Sequence, residues 1–210
     1  MNERSDVKHA SSDHSRKQIV SAAHRLFLEQ GFHGTTMRQI SKESGMALGS
    51  LYTYFPGKDE LFKAVFDAYN PYPILLLALE NSQGNSSEEL VRTAARRMVT
   101  ALSARPDLVK LVFIDVVEFQ GKHLQQAYPE VSSHLEGFAM RIKRNSVTVK
   151  DYSAESLLRA FFGLFYSFHM TEMLLGKPPT FKEGNPVDAQ NQSAALQDMI
   201  EIYLRGILTE

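Results

Sequence analysis

The sequence predicts an all-α fold of about nine helices, with a small N-terminal three-helix domain and a larger helical body. Three observations carry that prediction. Apolar residues recur at the helical period in successive segments, beginning with Ile19, Ala22, Ala23, Leu26 and Phe27 at i, i+3, i+4, i+7 and i+8. Glycine and proline fall between those segments, at Gly31, Gly45, Pro56-Gly57 and Gly176-Lys177-Pro178-Pro179. No stretch sustains period-two alternation. Residues 145–150 (NSVTVK) hint at a strand but are too short and isolated to build a sheet.

Residues 1–14 are polar and aperiodic and are expected to form a disordered tail. Ser15 to Gln18 has capping-box spacing and opens the first helix, which Gly31 ends. Thr36 to Gln39 offers a second capping box, and Met37 and Ile40 follow in a short stripe that stops at Gly45. A third short helix over about Leu48–Phe55 buries Leu51 and Phe55. Lys58 restarts a helix through Leu61, Phe62, Val65, Phe66 and Tyr69. Pro71 and Pro73 kink or break it, because each lacks a backbone donor and crowds the preceding turn. A helix from Ser86 runs to about Arg105, and Pro106 suits the first position of the next. That helix, with Leu108, Val109, Leu111, Val112, Phe113, Ile114, Val116 and Val117, is apolar nearly all round and is expected to be buried. Further helices are expected over about Pro129–Arg144, Ser153–Leu175 and Ala189–Leu208. The expected domains are residues 15–60 and 61–210.

Composition narrows the function. The 210 residues are 43% hydrophobic and 22% charged, as in ordinary globular proteins. Zero cysteines exclude disulfides, thiolate zinc sites, iron–sulfur clusters and cysteine nucleophiles. No apolar run approaches the roughly 18 residues of a spanning helix, and the N-terminus lacks the apolar core of a signal peptide. The expectation is a cytoplasmic protein with no membrane partner. The net charge of −1 divides unevenly: residues 16–63 carry seven Lys/Arg against four Asp/Glu, and residues 64–210 carry 14 against 17. A basic front end is compatible with nucleic acid.

Three short helices with Ser44-Gly45-Met46-Ala47 between the second and third read as a helix-turn-helix. Glycine at position 45 allows the left-handed backbone of a sharp reversal. A third helix of about eight residues is roughly 12 Å long and suits one pass through a major groove. On helix pattern alone, a three-helix core with no partner reads equally well. The residues decide further. Gly31-Phe32, Thr35-Thr36, Ile40, Gly45, Gly49, Leu51-Tyr52, Tyr54-Phe55, Lys58 and Glu60-Leu61 together resemble the signature of the TetR family of bacterial repressors. The resemblance implies a homodimer with an N-terminal DNA-binding domain and a helical domain that takes a small-molecule effector. It departs at Ser41 and Ser44, where the family favours alanine, and at Met46-Ala47, which costs the third helix its side-chain cap.

The candidate DNA contacts are Thr36, Arg38, Leu48, Gly49, Ser50, Tyr52, Thr53, Tyr54 and Lys58. Thr36 is a plain N-cap, a phosphate contact, or both. The resemblance implies phosphate contacts for Tyr52 and Lys58. A cation at a helix start opposes the macrodipole by some tenths of a kcal/mol, a cost that a phosphate partner explains. Leu48, Ser50, Thr53 and Tyr54 are expected to face outward, and Gly49 allows close backbone approach. Arg38 is a solvated surface residue or the one nearby side chain able to grip guanine with two bonds.

In the body, the long helix carries Ser156, Ala160, Gly163, Ser167 and Thr171 on one small face. The last helix carries Leu196, Met199, Ile200, Tyr203 and Ile207 on one apolar face. As the resemblance implies, both faces meet a second subunit; alternatively they pack internally. Met98, Leu102, Phe113, Val117, Phe138, Phe162, Phe165, Tyr166, His169 and Met173 supply apolar surface for a ligand pocket or for plain core. His169 orients a ligand or is a satisfied core histidine. Asp115 also points inward and then needs a partner; a ligand amine, an arginine or a tyrosine would serve.

Enzyme readings find little support. There is no His-Glu-x-x-His, P-loop or Gly-x-Gly-x-x-Gly, and the seven histidines show no i,i+4 pair. No metal or cofactor is expected. The reading is a dimeric transcriptional regulator, in sign a repressor by resemblance, released from a palindromic operator by an apolar or aromatic ligand. The alternatives are a helical interaction module that has lost DNA binding, or a helical enzyme.

Overall fold

The computed structural model describes residues 3–144, 149–175 and 194–209. Every element is helical: α1 (Glu3–Gly34), α2 (Met37–Ser44), α3 (Leu48–Tyr54), α4 (Lys58–Tyr69), α5 (Tyr72–Glu80), α6 (Ser87–Ser103), α7 (Pro106–Phe119), α8 (Lys122–Arg144), α9 (Ala154–Leu174) and α10 (Ala194–Ile207). An isolated antiparallel bridge joins Val149 to Leu208. Residues 145–148 of the strand hint, the Gly176–Pro179 stop and the expected start of the last helix at Ala189 lie outside the described residues. Among the described residues, no helix is long and apolar enough to cross a membrane.

Several boundaries differ from the expectation. Helix α1 begins at Glu3, inside the segment expected to be disordered. No glycine or proline interrupts residues 3–30, so the Ser15 box lies within a helix rather than opening one. At Gly31 the backbone turns left-handed (φ 72°) and breaks the helical path. Between α4 and α5 the prolines produce a break: α4 ends at Tyr69 and α5 begins at Tyr72 with proline in its first turn. Helix α8 begins seven residues before Pro129 and carries that proline inside it.

The chain forms two compact units, residues 1–70 with 107–127 and residues 71–106 with 128–210. In the first, Phe27, Phe32, Phe62 and Phe119 form an edge-to-face and stacked cluster with centroids 4.5–5.7 Å apart. Ile19, Ile40, Leu51, Leu61, Val65, Phe66 and Leu111 complete that core. Helix α7 buries only Leu108, Val109, Leu111 and Asp115. Its expected full burial does not occur: Phe113, Val116 and Val117 stay exposed, Val117 to 74%. An all-apolar helix packed along one face leaves the other to solvent.

Asp115 is fully buried, and its partners come from the chain itself. It accepts hydrogen bonds from the backbone of His123 and Leu124 and lies 2.6 Å from His123 Nδ1. One carboxylate thus satisfies two orphan donors at the start of α8, where the helix dipole favours negative charge. Gln120 and Gly121, both at positive φ, turn the chain between α7 and α8.

In the second unit, α6, α9 and α10 enclose Phe138, Phe161, Phe165 and Tyr203 in edge-on and tilted contact. The Tyr203 hydroxyl donates to the Leu157 carbonyl at 3.0 Å, and burial raises its pKa. His169 is buried, with Nδ1 3.3 Å from Ser103 Oγ. Since Ser103 donates its own proton to Val99 O, the His169 proton sits on Nδ1. Nε2 is then an acceptor without a partner. Burial lowers the pKa of His169. The neutral ring is therefore favoured in the fold, so its contribution to stability is complete above the unfolded value near 6.5 and is lost as pH falls below it. We expect acidification from pH 7 to pH 5 to lower the melting temperature more in the parent than in His169→Gln; parallel decreases would assign the acid sensitivity elsewhere.

Candidate nucleic-acid interface

Helices α2 and α3 meet through a turn whose geometry follows from a few residues. Thr36 caps α2: its side chain accepts from the Gln39 backbone at 3.2 Å, and Gln39 Oε1 accepts from the Thr36 backbone at 2.7 Å. Gly45 ends α2 with φ 70°, and its N–H closes onto Lys42 O. The Ser41 hydroxyl donates to Met46 O at 2.6 Å and ties the turn together. Ser41, a departure from the family pattern, is therefore part of the turn. Ala47 caps α3 with no side-chain bond, as Met46-Ala47 implied.

Gly49, Ser50, Tyr52 and Thr53 of α3 are exposed, with Tyr52 at 48%. A Cβ added at Gly49 would meet nothing within 4 Å. Leu48 and Tyr54 were expected to face outward. Both are half-buried against the core, because each lies three residues from buried Leu51 and shares its side of the helix. The Thr53 hydroxyl donates to Ser50 O. Arg38 is exposed on α2.

Lys58 has a different setting from the one expected. Its ammonium donates to Phe32 O at 2.7 Å and Thr35 O at 2.8 Å, and lies 4.2 Å from the centroid of the Phe32 ring. Thr35 in turn donates to Gly31 O and Leu26 O. The carbonyls left open where α1 ends are thereby satisfied. They offset the cost of a cation at the start of α4 and use two of its three protons.

The body residues divide between the two units. Phe113 and Val117 belong to the first unit, the other eight pocket candidates to the second. Met98, Leu102, Phe138, Phe165 and His169 are buried core there, while Phe162, Tyr166 and Met173 are half-buried. A cavity of about 410 Å³ in the second unit lies between α5 and α8; of the ten candidates, Phe138 alone lines it. Gly137 and Arg141, which line it, were not singled out from sequence, although glycine inside a helix is a visible irregularity.

Ser156, Ala160, Gly163, Ser167 and Thr171 are all exposed on α9. The α10 stripe expected to meet a second subunit does not face outward. Leu196, Ile200, Tyr203 and Ile207 are buried within the chain, and Met199 is half-buried. The most apolar face of α10 fills the space beside α9 and α6. Its outward face carries Ala195, Ile202 and Gly206 instead.

Comparison with known proteins agrees with this geometry. Residues 19–65 match the family model for bacterial regulatory proteins of the tetR family. The HTH-type transcriptional regulator LmrA of Bacillus subtilis is 59% identical over 46 residues, 22% of this chain and 24% of that protein. The aligned part of the chain thus spans about a quarter of the length of such curated relatives. Among solved structures, a TetR family transcription regulator from Marinobacter aquaeolei VT8 superposes with TM-score 0.65 at 17% identity, covering 96% of this chain and all of that one. The regulator FadR from Bacillus subtilis, in complex with stearoyl-CoA, gives 0.66 at 16% identity over 91% of this chain and 98% of its own. At such identities the likeness establishes the fold.

Replacing Lys58 by methionine leaves two carbonyls without their charged donor. We expect a loss of about 1.5–3 kcal/mol in urea unfolding. Unchanged stability in Lys58→Met would remove the clamp.

Proposed function

We propose that this chain, which belongs to the TetR family of bacterial regulatory proteins, is a homodimeric transcriptional regulator that binds a palindromic DNA site and releases it when a small molecule occupies the body. The observation that carries the reading is the capped α2–turn–α3 unit with its outward face left open at Gly49, Ser50, Tyr52 and Thr53. Thr36 at the start of α2 and the Tyr52 hydroxyl are the proposed phosphate contacts. Arg38 is the proposed base reader. The remaining α3 face is short and weakly polar, so thymine methyl contacts and DNA shape supply the rest of the specificity.

Two copies are needed because one α3 reads only a half-site. Recognition helices about 34 Å apart match one turn of DNA. The proposed dimer face combines the small residues of α9 with the outward side of α10, where Ala195, Met199, Ile202 and Gly206 repeat at i, i+4, i+7 and i+11. A Cβ at Gly163 or Gly206 would meet nothing within 4 Å, so a neighbouring helix can come close there. Helix α8, which supplies residues to both compact units, is the proposed carrier of the effector signal. A tenfold change in DNA affinity needs about 1.4 kcal/mol of coupling. Repression is the proposed sign, and the cytoplasm the proposed location.

Selection from random duplexes, followed by sequencing, is expected to return a palindrome; retention without sequence preference would favour a protein-interaction role. On the selected site, Arg38→Ala is expected to cost about 1–3 kcal/mol at one base pair per half-site. A uniform loss across all positions would make Arg38 a phosphate contact. Ile202→Glu is expected to give monomers in sedimentation and to abolish tight operator binding; a persistent dimer would place the interface elsewhere.

A further inference from the structure

The cavity between α5 and α8 has features that core packing does not require. At about 410 Å³ it falls within the range of small-molecule sites, about 300–1,000 Å³. Leu76 and Leu79 of α5 and Phe138 of α8 form its apolar part. Helix α5 reads YPILLLALE, yet only Ala78 and Leu79 are buried. Ile74, Leu75 and Leu76 stay half-buried, and Leu77 is exposed to 58%.

Gly137 lies on the wall of this groove inside α8. Its φ is not positive, and a Cβ there would meet nothing within 4 Å. Neither backbone nor crowding requires glycine, although glycine in a helix interior costs about 1 kcal/mol relative to alanine. What its missing side chain provides is room in the groove.

The polar wall is asymmetric in charge. Glu80 Oε1 lies 2.9 Å from His134 Nδ1, so the carboxylate already has a partner. Arg141 donates to Leu79 O at 3.2 Å and to Ser82 O, both at the end of α5. Among the described residues no carboxylate pairs with it. The two carbonyls fix the plane of the guanidinium and leave it N–H groups for a carboxylate.

We propose that the α5–α8 groove is the effector site, and that its ligand is a small amphipathic carboxylate. The apolar body lies on Leu76, Leu79 and Phe138 over Gly137, and the carboxylate pairs with Arg141. The assignment deepens the regulator reading by naming the class of effector, and rests on that reading only for the word effector.

The test uses three probes of one apolar length, octanoate, octanol and octylamine, titrated calorimetrically into the full chain without DNA. Octanoate is expected to bind at least tenfold more tightly than either of the others. Absence of octanoate binding, or equal or tighter binding of octylamine, would overturn the proposal. Gly137→Leu, which fills the groove, is expected to keep or raise the melting temperature and to lose octanoate. Ser133→Leu, at an exposed position on the same wall, is expected to do the same if the first variant folds poorly. Octanoate affinity unchanged in folded variants would move the site elsewhere. Operator binding is measured separately. Octanoate binding without DNA binding upholds the site and removes the regulator; DNA binding without octanoate binding does the reverse.

Discussion

The Lys58 ammonium, held by two carbonyls and an aromatic face, is the contact on which the front of the molecule depends. Gly31 breaks α1 and leaves backbone acceptors open close to the aromatic core. A water molecule could satisfy them but could not fix the position of α4. Lys58 does both. It ties the first residue of α4 to the chain between α1 and α2, and Thr35 secures the same stretch from the other side. The short helices α2 and α3 would be marginal alone, since isolated helices below about 12 residues rarely persist in water. Their orientation is set by this junction and by the buried side chains Ile40, Leu51 and Phe55.

The same economy recurs at the α7–α8 reversal. Asp115 serves as the cap that α8 lacks locally: Oδ2 accepts from Leu124 N–H, and Oδ1 is shared by the His123 backbone N–H and ring Nδ1. A carboxylate at 0% exposure would be costly if unpaired. Here it organises a helix start instead. Its neighbours Phe62, Phe66 and Phe119 pack around the His123 ring, with centroids 4.9–5.7 Å away, so the polar pair and the aromatic core hold each other in place.

Both units leave surface open. In the first, α3 exposes Gly49, Ser50, Tyr52 and Thr53, and α7 exposes Phe113, Val116 and Val117. In the second, the open surfaces are the aliphatic side of α5, the part-polar groove over Gly137 and the small face of α9. Glycines 49, 137, 163 and 206 all sit in ordinary helical backbone with empty space where a side chain would be. Each lies on a face proposed for a partner, respectively DNA, ligand and, for the last two, a second copy.

By itself the sequence determined the helical class, the capped α2, the glycine turn and the buried set Ile40, Leu51 and Phe55. Those features are local: a period, a cap and a left-handed residue act over a few positions. It also determined the regulator signature, which is dense within residues 31–61. Only the tertiary structure decided the partners of Lys58 and Asp115, because a charged group's partner is set by what folds beside it. The structure likewise decided which side of α10 faces out. Its most apolar stripe is equally suited to α9 and to another subunit, and intrachain packing claims it first. Of the α9 stripe only Phe165 and His169 became core, and a cavity opened between α5 and α8 instead. A groove is a gap between elements, and periodicity along one chain segment carries no information about gaps.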